Sequence, residues 1–137
     1  MELTCLCGAV RVTLARPPEF IHACNCTLCA KSGAWWGYFD PADLAVTGET
    51  HGWSRTDKAE AGGEVRFCPA CGATTHFVLT PAMIARHGNT VAGANMRLAD
   101  PTALAGIELR YPDGRAWSGE GPFGYVRASE IIGGGHG

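Results

Sequence analysis

The chain has 137 residues, of which 46% are hydrophobic and 18% charged, a size and balance that suit one globular core and exclude wholesale disorder. A net charge of −2 with no Lys/Arg run excludes an electrostatic grip on nucleic acid or an anionic membrane surface. No stretch approaches the ~20 apolar residues of a membrane-spanning helix, and Met1-Glu2-Leu3-Thr4-Cys5 lacks the basic start and apolar run of a secretion signal, so a reducing, cytoplasmic setting is expected.

Nineteen glycines are about twice the usual share. Glycine is disfavoured inside helices, so a mainly β chain of short antiparallel strands with frequent turns is expected, forming one domain over residues 1–132. Val10, Val12 and Leu14 alternate with Arg11 and Thr13 at strand period, and Arg16-Pro17-Pro18 ends that strand. Phe20-Ile21-His22-Ala23 reads as extended, Thr27 to Lys31 as a helical turn leaving at Gly33, and Ala34 to Phe39 as an aromatic strand closed by Asp40-Pro41. Short strands are expected over Leu44-Ala45-Val46, near Trp53, over Glu64 to Phe67, over Thr74 to Leu79 and over Thr90 to Leu98. Thr102 is a candidate cap for a turn over Ala103-Leu104-Ala105, ended by Gly106. Ile107 to Tyr111 and Arg115-Ala116-Trp117 read as a hairpin about Pro112-Asp113-Gly114, and residues 133–137 as a frayed glycine-rich tail.

Seven cysteines in a reducing compartment are poor candidates for disulfides, and an odd number cannot all pair within the chain. They fall into three groups: Cys5-Leu6-Cys7-Gly8, Cys24-Asn25-Cys26-Thr27-Leu28-Cys29, and Cys68-Pro69-Ala70-Cys71-Gly72. CxxC followed by glycine is a zinc knuckle: a tight turn aims two sulfurs at one ion, and glycine supplies the positive φ with which the chain leaves. A knuckle is half of a tetrahedral site. Cys5 and Cys7, with the same Gly-Ala exit, supply the other half, so Cys5, Cys7, Cys68 and Cys71 are paired here as one closed zinc site that clips the N-terminal strand to the middle of the chain. The alternative, a redox dithiol, belongs at a helix start in a βαβ pattern, which this chain lacks.

Cys24, Cys26 and Cys29 remain. Three protein ligands with a free fourth position are the arrangement of catalytic zinc, whereas a fourth ligand from His22, His51, His76 or His87 would close the site and make it structural. His22 is the nearest in sequence, on the same face as Cys24 if the segment is extended.

The succession Cys5-Leu6-Cys7-Gly8-Ala9-Val10, then Cys24-Asn25-Cys26-Thr27-Leu28-Cys29 with Gly33 behind it, then Phe67-Cys68-Pro69-Ala70-Cys71-Gly72 resembles the glutathione-dependent formaldehyde-activating enzyme family, to which centromere-protein-V-like proteins also belong. The resemblance implies a zinc-stapled β-tent with two zinc ions per chain: a structural one on Cys5, Cys7, Cys68 and Cys71, and a catalytic one on Cys24, Cys26 and Cys29. It implies carbon–sulfur lyase chemistry on a small-molecule thiol such as glutathione and a small aldehyde such as formaldehyde. Members commonly carry His between the first two central cysteines; here Asn25 stands there.

Three thiolates and Zn2+ sum to −3 + 2 = −1, a weaker Lewis acid than a three-histidine zinc and better suited to holding a soft sulfur. Glutathione carries two carboxylates, so cations are expected near that zinc. Lys31 and Arg97 are candidates, each also readable as an ordinary surface charge. Of Trp35 and Trp36, strand alternation sends one into the core. His76 reads either as a base or as a satisfied strand histidine. The competing function is a binding module in which both zincs are structural and the β surface docks a protein.

Overall fold

Polar and apolar residues do alternate across β2 (Arg11–Leu14), where Val12 and Leu14 are buried and Arg11 and Thr13 exposed. The computed structural model describes residues 1–57 and 61–133; the expected tail lies outside them from residue 134 on. Before β2 stands β1 (Glu2–Thr4), and the two pair antiparallel, so the first cysteine pair sits in the turn of a hairpin. Then come β3 (Phe20–His22), α1 (Thr27–Ser32), β4 (Trp36–Phe39), β5 (Leu44–Thr47), β6 (His51–Trp53), β7 (Gly63–Phe67), β8 (Thr74–Leu79), α2 (Pro81–His87), β9 (Ala92–Asn95), β10 (Glu108–Pro112) and β11 (Tyr125–Ile131). No described helix is long and apolar enough to cross a membrane.

The strands form a three-stranded sheet, β1-β2-β5, and an eight-stranded one, β11-β10-β3-β4-β9-β8-β7-β6. The fold is thus mainly β, as expected, and antiparallel at every described pairing except β3 with β10, which run parallel with Ile21 beside Leu109. Leu3, Val12, Leu14, Ile21, Phe39, Met96 and Leu109 build the main core between the sheets. Each such fully buried aliphatic contributes about 1.5–3 kcal/mol. A second small cluster joins Cys5, Val10 and Cys68, with Val46, Cys71 and Ala73 against it.

Three expectations are corrected. The strand expected over Thr90 to Leu98 covers only Ala92–Asn95, because the Asn95 side chain accepts the Arg97 amide and starts a 3-10 turn at Met96–Leu98. The turn near residue 103 is capped by Asp100, not Thr102, whose amide and hydroxyl both donate to the Asp100 carboxylate; the turn itself runs over Pro101–Leu104. Residues 115–117 do not return as the second arm of a hairpin. β10 pairs instead with β11, and 113–124 form a loop between them. Neither β11, exposed along its whole length, nor α2 was foreseen; α2 follows a Thr80 cap with Pro81 in its first turn.

Candidate metal centres

The two outer cysteine pairs meet. The sulfurs of Cys5, Cys7, Cys68 and Cys71 all lie within 4.8 Å of one another, with Cys7 3.7 Å from both Cys5 and Cys68. Each pair sits at a hairpin tip and is built alike. The Gly8 amide donates to the Cys5 carbonyl and the Gly72 amide to the Cys68 carbonyl, and both glycines hold positive φ (82° and 78°). The Val10 amide donates to Cys5 Sγ at 3.2 Å. Amides of Ala73 and Cys7 draw the Cys71 thiol down to about 6, while Cys7 rises to about 11: the Ala9 amide favours its thiolate, but the sulfurs of Cys5 and Cys68 oppose it more strongly. Four sulfurs this close disfavour ionising together unless a cation sits among them, and soft thiolates in a tetrad match zinc.

The central trio also converges, its three sulfurs within the same 4.8 Å limit. Local chain geometry explains this. Cys26 is the N-cap of α1 and its sulfur accepts the Cys29 amide at 3.3 Å, which places Cys29 one turn on, over the same end. Cys24 folds back so that its sulfur accepts the Cys26 amide at 3.5 Å. Gly33 closes the helix in the left-handed conformation at φ 72°. Hydrogen bonds from Cys24 first, then Cys29, drive Cys26 down to about 2, whereas Cys24, then Cys26, then burial push Cys29 up.

The segment after β10 covers the trio from one side. Asn25 Nδ2 donates to Asp113 Oδ1 at 2.8 Å, and the Arg115 amide donates to Asn25 Oδ1 at 2.9 Å, so both ends of the Asn25 amide hold the 113–115 turn. Gly114, between them, lies against Cys24 and Cys26. A cavity of about 180 Å³ opens over Cys24 and Cys29, with Trp35 and Arg97 in its wall.

No histidine joins either group among the described residues. His22 is buried; its Nδ1 meets the Tyr38 hydroxyl at 3.0 Å and its Nε2 has no partner. Burial, helped by Arg110, lowers it to about 4. Burial, then the charges of Cys29, Cys24 and Cys26, pushes the Tyr38 hydroxyl up. His51 pairs with Glu49 on an exposed strand, and His87 ends α2. His76 is a buried strand histidine bonded to Thr75 Oγ1 at 2.8 Å and lowered to about 4, first by burial and then by Arg66. Trp36 is buried, 5.0 Å from the Phe77 ring, while Trp35, just before β4, is half-buried and also packs against the main core, so neither tryptophan turns fully outward. Of the two expected cations only Arg97 shares the trio's cavity; Lys31 lines a separate groove of about 450 Å³ with Trp53, Arg55 and Phe67. Sequence reasoning missed the clamp from Asn25, Asp113 and Gly114, although Pro112-Asp113-Gly114 was visible as a turn.

The family model for "glutathione-dependent formaldehyde-activating enzyme" matches residues 1–100, which hold all seven cysteines. A crystal structure of a Rhodobacter sphaeroides protein superposes with a TM-score of 0.58 at 23% identity, covering 78% of this chain and 97% of that one, a likeness of fold. No curated protein matches.

Proposed function

The chain belongs to the glutathione-dependent formaldehyde-activating enzyme family, and we propose that it is a carbon–sulfur lyase of that kind, joining a small thiol such as glutathione to a small aldehyde or releasing the aldehyde again. In the net reaction the thiol sulfur bonds to the carbonyl carbon and the thiol proton ends on the carbonyl oxygen, giving an S-hydroxyalkyl product; no oxidant or reductant is consumed. The observation that carries this reading is the trio itself. Cys24, Cys26 and Cys29 converge with no fourth His, Cys, Asp or Glu in their group among the described residues, and a cavity opens over two of them.

The donor set fits zinc: three soft sulfurs supplied by one helix start and the residues before it. Zinc held by these three cysteines would offer a free coordination position at which a thiol loses its proton and stays nucleophilic at neutral pH. The remaining work falls to the chain. Cys24, Cys26 and Cys29 would hold and orient the ion, Asn25 fixes the turn that packs against Cys24 and Cys26, and the cavity over Cys24 and Cys29 admits the two small reactants. Cys5, Cys7, Cys68 and Cys71 hold a second, structural zinc that joins two hairpin tips. None of the seven cysteines is in a disulfide, as a reducing cytoplasm would maintain.

Cobalt substitution tests the proposal. Glutathione added to the Co2+-loaded protein is expected to change the sulfur-to-metal charge-transfer absorption, and the wild-type protein to accelerate exchange between formaldehyde and its glutathione adduct in NMR. An unchanged spectrum at millimolar glutathione, together with no acceleration, would overturn it.

A further inference from the structure

Most arginines here are neutralised. Arg16, Arg55, Arg66, Arg110 and Arg127 each meet a carboxylate within 3.1 Å. Arg97 is different: among the described residues its guanidinium meets no carboxylate, and its side-chain contact is with the face of Trp35, 4.2 Å from the ring centroid. Both residues line the cavity over Cys24 and Cys29. We propose that Arg97, held on Trp35, is the anion anchor of this cavity and selects thiols that carry a carboxylate.

Three physical points support the assignment, which rests on the trio holding a metal with a free position. A site of three thiolates and one divalent ion carries −1, and a coordinating thiolate adds further negative charge. A carboxylate on the same ligand is then repelled unless a cation stands nearby, whereas a neutral thiol requires none. Arg97 is the guanidinium in that cavity. The ring contact also restrains a long side chain, so less rotamer freedom is lost when a carboxylate docks. Finally, the planar fork of guanidinium donors matches a carboxylate in two-point fashion, which an ammonium cannot reproduce.

The backbone explains how the residue is placed. Asn95 ends β9 and accepts amides from both Trp35 and Arg97, at 3.2 Å each, so one side chain fixes the two anchor residues to each other. Its Nδ2 donates to the Thr74 carbonyl at 2.8 Å, tying that junction to β8.

The test compares two probes with the same thiol arm, 3-mercaptopropionate and 3-mercaptopropionamide, titrated into Co2+-loaded protein and read by charge-transfer absorption. Wild type is expected to favour the acid over the amide more than Arg97→Gln does, by about tenfold in the ratio of dissociation constants, as one charge-assisted pair allows. The amide's own constant should move less than twofold, and added salt should erode the preference in wild type only. Equal salt-dependent preference for the acid in both proteins, with both probes still shifting the spectrum, would overturn the anchor while leaving the metal site intact. If neither probe perturbs wild type, the open-metal reading fails and the anchor with it.

Discussion

Gly114 lies so close to Cys24 that no side chain fits between them: an ideal Cβ on Gly114 would overlap the Cys24 sulfur and come within 3.3 Å of Cys26 Cβ. The neighbour that would have to move is a metal-ligand candidate. Gly114→Ala is therefore expected to weaken metal retention at the trio while sparing the four-thiolate site, since such overpacking costs about 1–3 kcal/mol locally. The check is metal content after dialysis against a graded chelator. The variant should fall from about two ions per chain toward about one at a chelator strength that wild type survives; equal retention would refute the contact's importance.

Asn25 serves the same contact from the other direction. Asn25→Ala removes the donor to Asp113 and the acceptor for the Arg115 amide at once. A loss of about 1–2 kcal/mol is expected for hydrogen bonds at this degree of burial. Hydrogen exchange at the Arg115 amide should accelerate roughly tenfold, with strands β7 and β8 unchanged. Uniform acceleration across the chain would mean a global effect instead.

The two cysteine groups should respond unequally to loss of one ligand. Cys68 has no exposed surface and links β7–β8 to the β1–β2 turn, so Cys68→Ser is expected to give insoluble or unfolded protein. Cys26 caps a six-residue helix with no buried residue, so Cys26→Ser should release one metal and leave a dispersed NMR spectrum. If Cys26→Ser also unfolds the chain, the trio is scaffolding and the binding-module reading returns.

His76 makes the fold acid-sensitive. Burial holds it at about 4, below its ordinary value, so the unfolded chain binds a proton that the folded one refuses. Stability is then fully present above about pH 6.5 and declines as pH falls toward 4, by up to about 3 kcal/mol from this group. Urea unfolding of the metal-loaded protein between those pH values should show the decline, and His76→Gln should flatten it. His22 acts in the same direction, so the slope is reduced rather than abolished.

Much of the site could be read from spacing. Cys5-Leu6-Cys7 and Cys68-Pro69-Ala70-Cys71 announce turns whose sulfurs must face one way, and Gly8 and Gly72 fill the positive-φ exits that were expected. Cys26 and Cys29 converge because three residues make one helical turn. The strand at Arg11–Leu14 follows from alternation alone. The short strand at Glu2–Thr4 escaped notice because three residues hold too little periodicity. The terminal strand Tyr125–Ile131 escaped because exposure on both faces leaves no alternation to detect.

Chain-local geometry thus accounts for the donor sets, since bond lengths and turn types limit where sulfurs a few residues apart can point. Long-range pairing accounts for the surroundings of the trio. Asn25 and Asp113 are 88 positions apart, and they meet only because β10 runs parallel to β3 and delivers the loop after it to the start of α1. Likewise Arg97 rather than Lys31 stands in the trio's cavity because β9 pairs with β4, which brings Asn95 and the residue two beyond it alongside Trp35 and Trp36. No spacing rule encodes which strands become neighbours; that is set by how the buried faces of all the strands together best exclude water.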